Sequence, residues 1–249
     1  MMTLARVAAA TVSLALARAD TTGTRGMADF PDPADVLLHE APVFGGTFKL
    51  SATLQDSMVL QRAPKEAIVW GFATAGTTVT TTFGTKKITS TAGTDTVWRA
   101  NLGANPASKT PTTLTFKASS GETATLSDVL FGDVFVCGGQ SNMQFSVGGN
   151  ENKSFYAQES MKYPDIRLFT VGQKTSSKVP LMDLVTIEQN WTTAAKPKSI
   201  ANGEFDIFSA VCWFFGKNVY DGLKGVVPIG LVSDNWGGTR VEQWYASCA

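Results

Sequence analysis

Gly139-Gln140-Ser141-Asn142-Met143 stands directly behind the apolar run Val134-Phe135-Val136-Cys137, and these residue types in this order can present a hydroxyl nucleophile. A β-branched and aromatic run that ends in Gly138 and Gly139 and passes into a small hydroxyl residue predicts a strand turning sharply into a helix N-terminus. The two glycines allow backbone angles that other residues resist. Unpaired amides at the start of the next helix are then placed to hold a developing oxyanion beside the Ser141 hydroxyl. A plain helix cap is the alternative role for Ser141.

The elements that would carry this turn differ along the chain. From Phe44 to Ser127 short β-type runs follow one another: Thr47 to Leu50, Ala67 to Phe72, Thr77 to Phe83, Lys86 to Thr91, Val97 to Leu102 and Thr112 to Ala118. Turn residues such as Ala75-Gly76 and Ser120-Gly121 separate several of them, the spacing of an antiparallel sandwich or jelly roll. From Asp128 onward strands alternate with helices, which predicts an α/β layer fold around a parallel sheet. Its first strand is Asp133 to Cys137, its second Ile166 to Val171, and Ile229 to Ser233 leads into Trp236-Gly237-Gly238-Thr239; Trp191 begins an extended stretch. Phe208, Val211, Cys212, Phe215, Val219 and Leu223 recur at helical spacing and form one apolar face, read as core, with the helix ending near Gly222 and Gly225. Active residues in such sheets gather at the carboxyl ends of strands, where Ser141 and the Trp-Gly-Gly-Thr segment both sit.

The residue two after Ser141 is Met143, so the Gly-x-Ser-x-Gly elbow of α/β-hydrolases is not met. The stretch Asp128-Val-Leu-Phe-Gly-Asp-Val-Phe-Val-Cys-Gly-Gly-Gln-Ser-Asn-Met143 instead resembles the nucleophile block of sialate O-acetylesterases, in the SGNH or GDSL-like esterase superfamily. Pro228-Ile-Gly-Leu-Val-Ser-Asp-Asn-Trp-Gly-Gly-Thr-Arg-Val-Glu-Gln-Trp244 resembles the second block of the same family, and Phe48 to Gln61 with Ile68-Val-Trp-Gly71 resembles its N-terminal β-domain. The resemblance implies Ser141 as nucleophile, and the backbone amides of Ser141 and Gly238 as oxyanion hole, with Gly238 preferred to Gly237. A glycine admits a substrate oxygen to its N–H without a Cβ in the way. Gln140 and Asn142 then brace the loop, while Trp236 and Arg240 line the sugar site; Asn235 serves equally well as a turn residue. The implied reaction removes O-acetyl groups from sialic acids, most often at the 9 position, with no metal and no organic cofactor. Acetyl xylan esterases share similar nucleophile blocks, which leaves a polysaccharide substrate open.

The family takes its base from a C-terminal Asp-x-x-His block and carries an asparagine or Gln-Gly-Glu loop in a third block, and this sequence has neither. Its one histidine, His39, falls in a Pro-rich lead-in and is read as an exposed loop residue away from Ser141. The expectation is a truncated member: a signal peptide at 1–19, a lead-in at 20–43, a β-sandwich at 44–127, and an incomplete SGNH-type three-layer domain at 128–249. Low activity, exposed apolar surface, and association with a full-length copy follow from that reading. Two other readings stay open, a carbohydrate-binding module favoured by the β-runs and six tryptophans, and a non-catalytic interaction form favoured by the missing base.

Bulk properties agree. Among 249 residues, 43% are hydrophobic and 17% charged, enough to bury a core, and 21 basic residues balance 21 acidic ones. With no Lys/Arg-rich run, nucleic acid and anionic membrane are poor partners, whereas a sugar ester needs no such charge. Arg6, the apolar stretch Val7 to Ala17, and Ala17-Arg18-Ala19 predict a cleaved secretory signal, with a retained N-terminal helix as the alternative. That stretch is too short to span a bilayer. The sequons Asn152-Lys-Ser154 and Asn190-Trp-Thr192 are candidate glycosylation sites on a lysosomal or extracellular route. Cys137, Cys212 and Cys248 show no Cys-x-x-Cys spacing; Cys137 and Cys212 are read as small buried hydrophobes rather than a disulfide framework or a metal site.

Overall fold

The computed structural model describes residues 37–39, 46–173, 175–177 and 181–240. The apolar leader, most of the lead-in and Cys248 lie outside them. In chain order the strands are β1 (Leu37–His39), β2 (Lys49–Leu50), β3 (Val59–Gln61), β4 (Ala67–Phe72), β5 (Thr78–Phe83), β6 (Lys86–Thr91), β7 (Val97–Gly103), β8 (Ser108–Ala118) and β9 (Thr123–Gly139). Helix α1 (Lys153–Ser160), β10 (Ile166–Val171), β11 (Thr175–Ser177), β12 (Ile187–Thr193), α2 (Ala210–Gly222) and β13 (Ile229–Asn235) follow. The chain is thus mixed α/β, mostly sheet with few helices, and none of the described helices is long and apolar enough to cross a membrane.

One strand organises the rest. Residues of β9 up to Phe131 pair antiparallel with β8, while Asp133 to Gly139 pair parallel with β13, so a single 8-stranded sheet runs β12-β10-β13-β9-β8-β5-β6, with β3 added beside β9. The sequence placed a strand start at Asp133; the observed strand begins ten residues earlier, at Thr123. Leu126, Val129, Leu130 and Phe131 are all buried: this part of β9 lies between β8 and β3, and Leu126, Val129 and Phe131 join the apolar cluster that includes Val69, Trp98, Phe116 and Leu102. A second small sheet, β2-β4-β7, contributes to that cluster.

The parallel strands β10 and β13 are covered on both faces, which accounts for their nearly unbroken apolar runs, whereas the parallel end of β9 leaves Val136 exposed. Ile166, Leu168, Ile229 and Leu231 pack toward Trp213, Cys212, Phe208 and Tyr220, whereas Phe169, Val171 and Val232 join the other cluster with Trp191. Helix α2 sits on the sheet with Cys212, Trp213, Gly216 and Tyr220 inward. This corrects the expected face: Val211 and Phe215 are half exposed. Gly216 explains the rotation, since a Cβ there would lie 2.4 Å from a methyl of Leu231, and the helix meets the sheet where a side chain is missing. The unpaired reading of two cysteines is also corrected, because Cys137 at the end of β9 is disulfide-bonded to Cys212 in the first turn of α2, 75 residues later.

A polar lock ties β9, β10 and the approach to β3 together. The Arg167 guanidinium, with its side chain 8% exposed, donates to both carboxylate oxygens of Asp128 and, through Nη1, to the carbonyl of Ser57 at 3.2 Å; the Ser57 hydroxyl donates to Asp128 at 2.8 Å. Hydrogen bonding from Arg167 is the main reason the Asp128 carboxyl is held below its ordinary 3.8. A folded-state pKa below the unfolded one gives stability that is present above about pH 4 and lost as pH falls through the folded value. Asp128→Asn is therefore expected to lower stability by about 1–2 kcal/mol at neutral pH, less than for a fully buried pair because the Asp128 side chain is 40% exposed. Thermal unfolding of both proteins from pH 7 to pH 3 checks this: the gap should narrow below about pH 4, and a gap independent of pH would contradict it.

Candidate active site

Ser141 sits at the carboxyl end of β9, in a 3-10 turn spanning Ser141–Met143 rather than at the N-terminus of an α-helix, as the sequence suggested. The turn is closed by the amides of Gln144 and Phe145, which donate to the Ser141 carbonyl at 2.8 and 3.2 Å. Ser141 itself has φ +49°, a left-handed backbone that L-residues adopt at a cost of about 1–3 kcal/mol. Gly139 precedes it at φ +152°, where any Cβ would press on Met143 at 3.1 Å. This bend brings the Ser141 amide and side chain out at the sheet edge, and among the described residues that amide donates to no acceptor. The hydroxyl donates to the side-chain carbonyl of Gln140.

The second predicted segment comes to the same place. Asp234 and Asn235 of β13 pair in register with Gly138 and Gly139, and the amide of Trp236 donates to the Gly139 carbonyl at 3.0 Å, so Trp236-Gly237-Gly238 leaves the sheet next to the nucleophile turn. The Gly237 amide donates to Gln144 Oε1 at 2.6 Å. Gly238, at φ +78°, makes no amide hydrogen bond to another described residue. The Thr239 hydroxyl closes the turn on the Trp236 carbonyl at 2.7 Å.

Three residues that no sequence signal marked, Gln144, Gln173 and Ser209, complete the arrangement. Gln144 Nε2 donates to Gln173 Oε1 at 3.1 Å, and Gln173 Nε2 donates to the Asn235 carbonyl at 2.7 Å. Ser209, which caps α2 by accepting from the Cys212 amide at 3.2 Å, also donates to the Met143 sulfur at 3.4 Å, so the helix start abuts the nucleophile turn. Asn235 and Ser233 side chains bond each other on the buried α2 side. Asp234 alternates to the opposite face, where burial raises its carboxyl above the ordinary 3.8.

Gln140, Asn142, Trp236 and Arg240 all lie on the two loops around Ser141, with Gln140, Asn142 and Arg240 exposed and Trp236 partly buried. Gln140 accepts from Ser141 rather than bracing the loop; Gln144 does the bracing. Asn152, at the N-cap of α1, and Asn190, on the outer strand β12, are exposed. His39 is not in a loop: its backbone lies in β1, paired parallel with β11 opposite Ser177.

Residues 131–248 match the family model described as carbohydrate esterase, sialic acid-specific acetylesterase. The sialate O-acetylesterase of Rattus norvegicus is 38% identical over 209 residues, covering 79% of this chain and 37% of the rat protein. That of Homo sapiens is 36% identical over 213 residues, covering 79% of this chain and 38% of the human protein. Among solved structures, a carbohydrate acetylesterase from Xanthomonas citri aligns with a TM-score of 0.69 and 29% identity, over 80% of this chain and 43% of the other. The chain therefore spans well under half the length of these relatives.

Proposed function

Because this chain belongs to the sialic acid-specific acetylesterase family of carbohydrate esterases, we propose that it carries the nucleophile and oxyanion hole for hydrolysis of O-acetyl esters of sialic acid. The observation that carries the proposal is the Ser141 bend: a hydroxyl at φ +49° at a strand end, its own amide unengaged among the described residues, beside a Gly-Gly turn. In this reading Ser141 Oγ attacks the acetyl carbonyl carbon and gives up its proton to a base, and the carbonyl oxygen becomes an oxyanion held by the Ser141 and Gly238 amides. Collapse expels the sugar oxygen, which takes the proton, and water then releases acetate from the acyl-serine by the same steps. Gly238 is favoured over Gly237 because the Gly237 amide is already engaged by Gln144. The 9-O-acetyl ester is the preferred substrate, with Trp236 against the sugar and Arg240 toward the substrate carboxylate.

Gln140 is a neutral amide and takes up no proton, so the group that the Ser141 hydroxyl donates to is not its general base. The secretory route is supported by the Cys137–Cys212 disulfide, a bond suited to oxidising compartments, and by two exposed sequons. The runs at 44–127 are read as a β-sandwich module, supported by the apolar cluster shared between the β2-β4-β7 sheet and the larger one.

Acetate release from 9-O-acetylated sialic acid, measured with and without added imidazole, tests the proposal. Imidazole offers a general base in solution, and release that it stimulates should require Ser141. No release under either condition, or release indifferent to Ser141, would overturn the reading.

A further inference from the structure

The geometry points to Gln144 and Gln173 as positioning residues that decide which amide of the Trp236-Gly237-Gly238 turn serves the oxyanion, an inference that rests on the serine-esterase reading above. The two side-chain amides form a bridge with a single direction. It starts on a backbone donor, the Gly237 N–H to Gln144 Oε1 at 2.6 Å; passes from Gln144 Nε2 to Gln173 Oε1 at 3.1 Å; and ends on a backbone acceptor, from Gln173 Nε2 to the Asn235 carbonyl at 2.7 Å. Flipping either amide sets oxygen against oxygen or N–H against N–H, so neither has a second satisfied orientation. Both ends close on the same short segment, Asn235 to Gly237.

Gln144 belongs to the nucleophile turn, since its own amide donates to the Ser141 carbonyl at 2.8 Å. The bridge therefore sets the Gly-Gly turn against Ser141 through one residue of the turn it serves. It also consumes the Gly237 N–H and leaves that of Gly238 without a partner among the described residues. Removing it frees a competing donor and lets the turn tilt, and misplacing a reacting group by about 1 Å costs about 100-fold in rate.

Three variants and two readouts test the assignment. Gln144→Met keeps the length of the side chain and loses both bridge hydrogen bonds, together with a longer one from Gln144 Nε2 to the Phe205 carbonyl at 3.4 Å. Its Ser141-dependent, imidazole-supported kcat should fall about 10- to 100-fold with KM within about twofold. The hydrogen exchange of the Gly237 amide should accelerate at least about tenfold while that of Gly238 stays fast. Gln173→Met, which leaves the Gly237 bond in place, should show the kcat loss with a smaller change in Gly237 exchange. Gln144→Glu separates this role from mere packing. A protonated carboxyl reproduces the amide's acceptor and donor, whereas the ionised form faces Gln173 Oε1 with a second oxygen. The ratio of its kcat to that of the unaltered protein should rise as pH falls through the carboxylate range. Unchanged Gly237 exchange in Gln144→Met, an unchanged kcat, or a Gln144→Glu ratio flat with pH would each overturn the inference. An unaltered protein without Ser141-dependent turnover would instead overturn the esterase reading, and Gly237 exchange would still report whether the bridge exists.

Discussion

Replacing Ser141 with alanine is expected to reduce imidazole-supported acetate release by at least about 10³-fold without unfolding the protein. The hydroxyl is the atom that bonds to the acetyl carbon, and its neighbours on the two loops are poor substitutes: Gln140 and Asn142 are amides, Gln144 is committed to the neighbouring turn, and the Thr239 hydroxyl donates to the Trp236 carbonyl. The backbone makes a second, independent forecast. At φ +49° a Cβ is strained, and glycine is not, so Ser141→Gly should be more stable than Ser141→Ala by about 1 kcal/mol, or about 2–4 °C in Tm, although both lack the nucleophile. Acetate release and thermal unfolding of the two variants side by side check this. Two inactive proteins with the same Tm would mean that the bend is not held in the left-handed region, and an active Ser141→Ala would remove the chemistry altogether.

The parts of this site that were legible in the sequence were those with local signatures. A β-branched run ending in paired glycines before a small hydroxyl residue fixes a bend, and the same logic locates Trp236-Gly237-Gly238 after Ile229 to Ser233; both segments meet in the structure at adjacent strand ends. What was not legible depended on which strands lie side by side. Gln173 follows β10 and Gln144 follows β9, and their meeting requires β13 between those strands, an order that periodicity does not encode. Strand β9 was cut short because its first half and second half answer to different neighbours, β8 for one and β13 for the other, a change of partner that periodicity does not show. The α2 face was misjudged for a related reason. Spacing by three and four picks out Val211 and Phe215 as readily as Cys212 and Gly216, and the decision falls to a contact the sequence does not show, the seating of Gly216 on Leu231. The cysteine pairing was hidden in the same way, since 75 residues and three intervening strands separate partners that end up on facing elements.

Loss of that disulfide is expected to have the largest effect on stability. Cys137 and Cys212 close a loop of 75 residues that contains α1, β10, β11 and β12, and cross-links of this span contribute about 2–4 kcal/mol, chiefly by restricting the unfolded chain. Paired alanines at both positions, or a reducing agent on the unaltered protein, should lower Tm by about 4–16 °C. The consequence for chemistry is local as well. Cys137 lies four residues before Ser141, and Cys212 in the turn of α2 whose cap, Ser209, touches Met143, so two ties secure the nucleophile bend to one helix. With the covalent tie gone, the weaker one, a hydroxyl on a thioether sulfur, is left to hold the bend, and Ser141-dependent turnover should fall at temperatures well below the new Tm. If turnover and Tm instead declined in strict parallel, the bond would be acting on the fold as a whole and not on the seating of Ser141; if neither changed, the helix and β9 would be held by the Phe135–Phe215 and Trp213 packing alone.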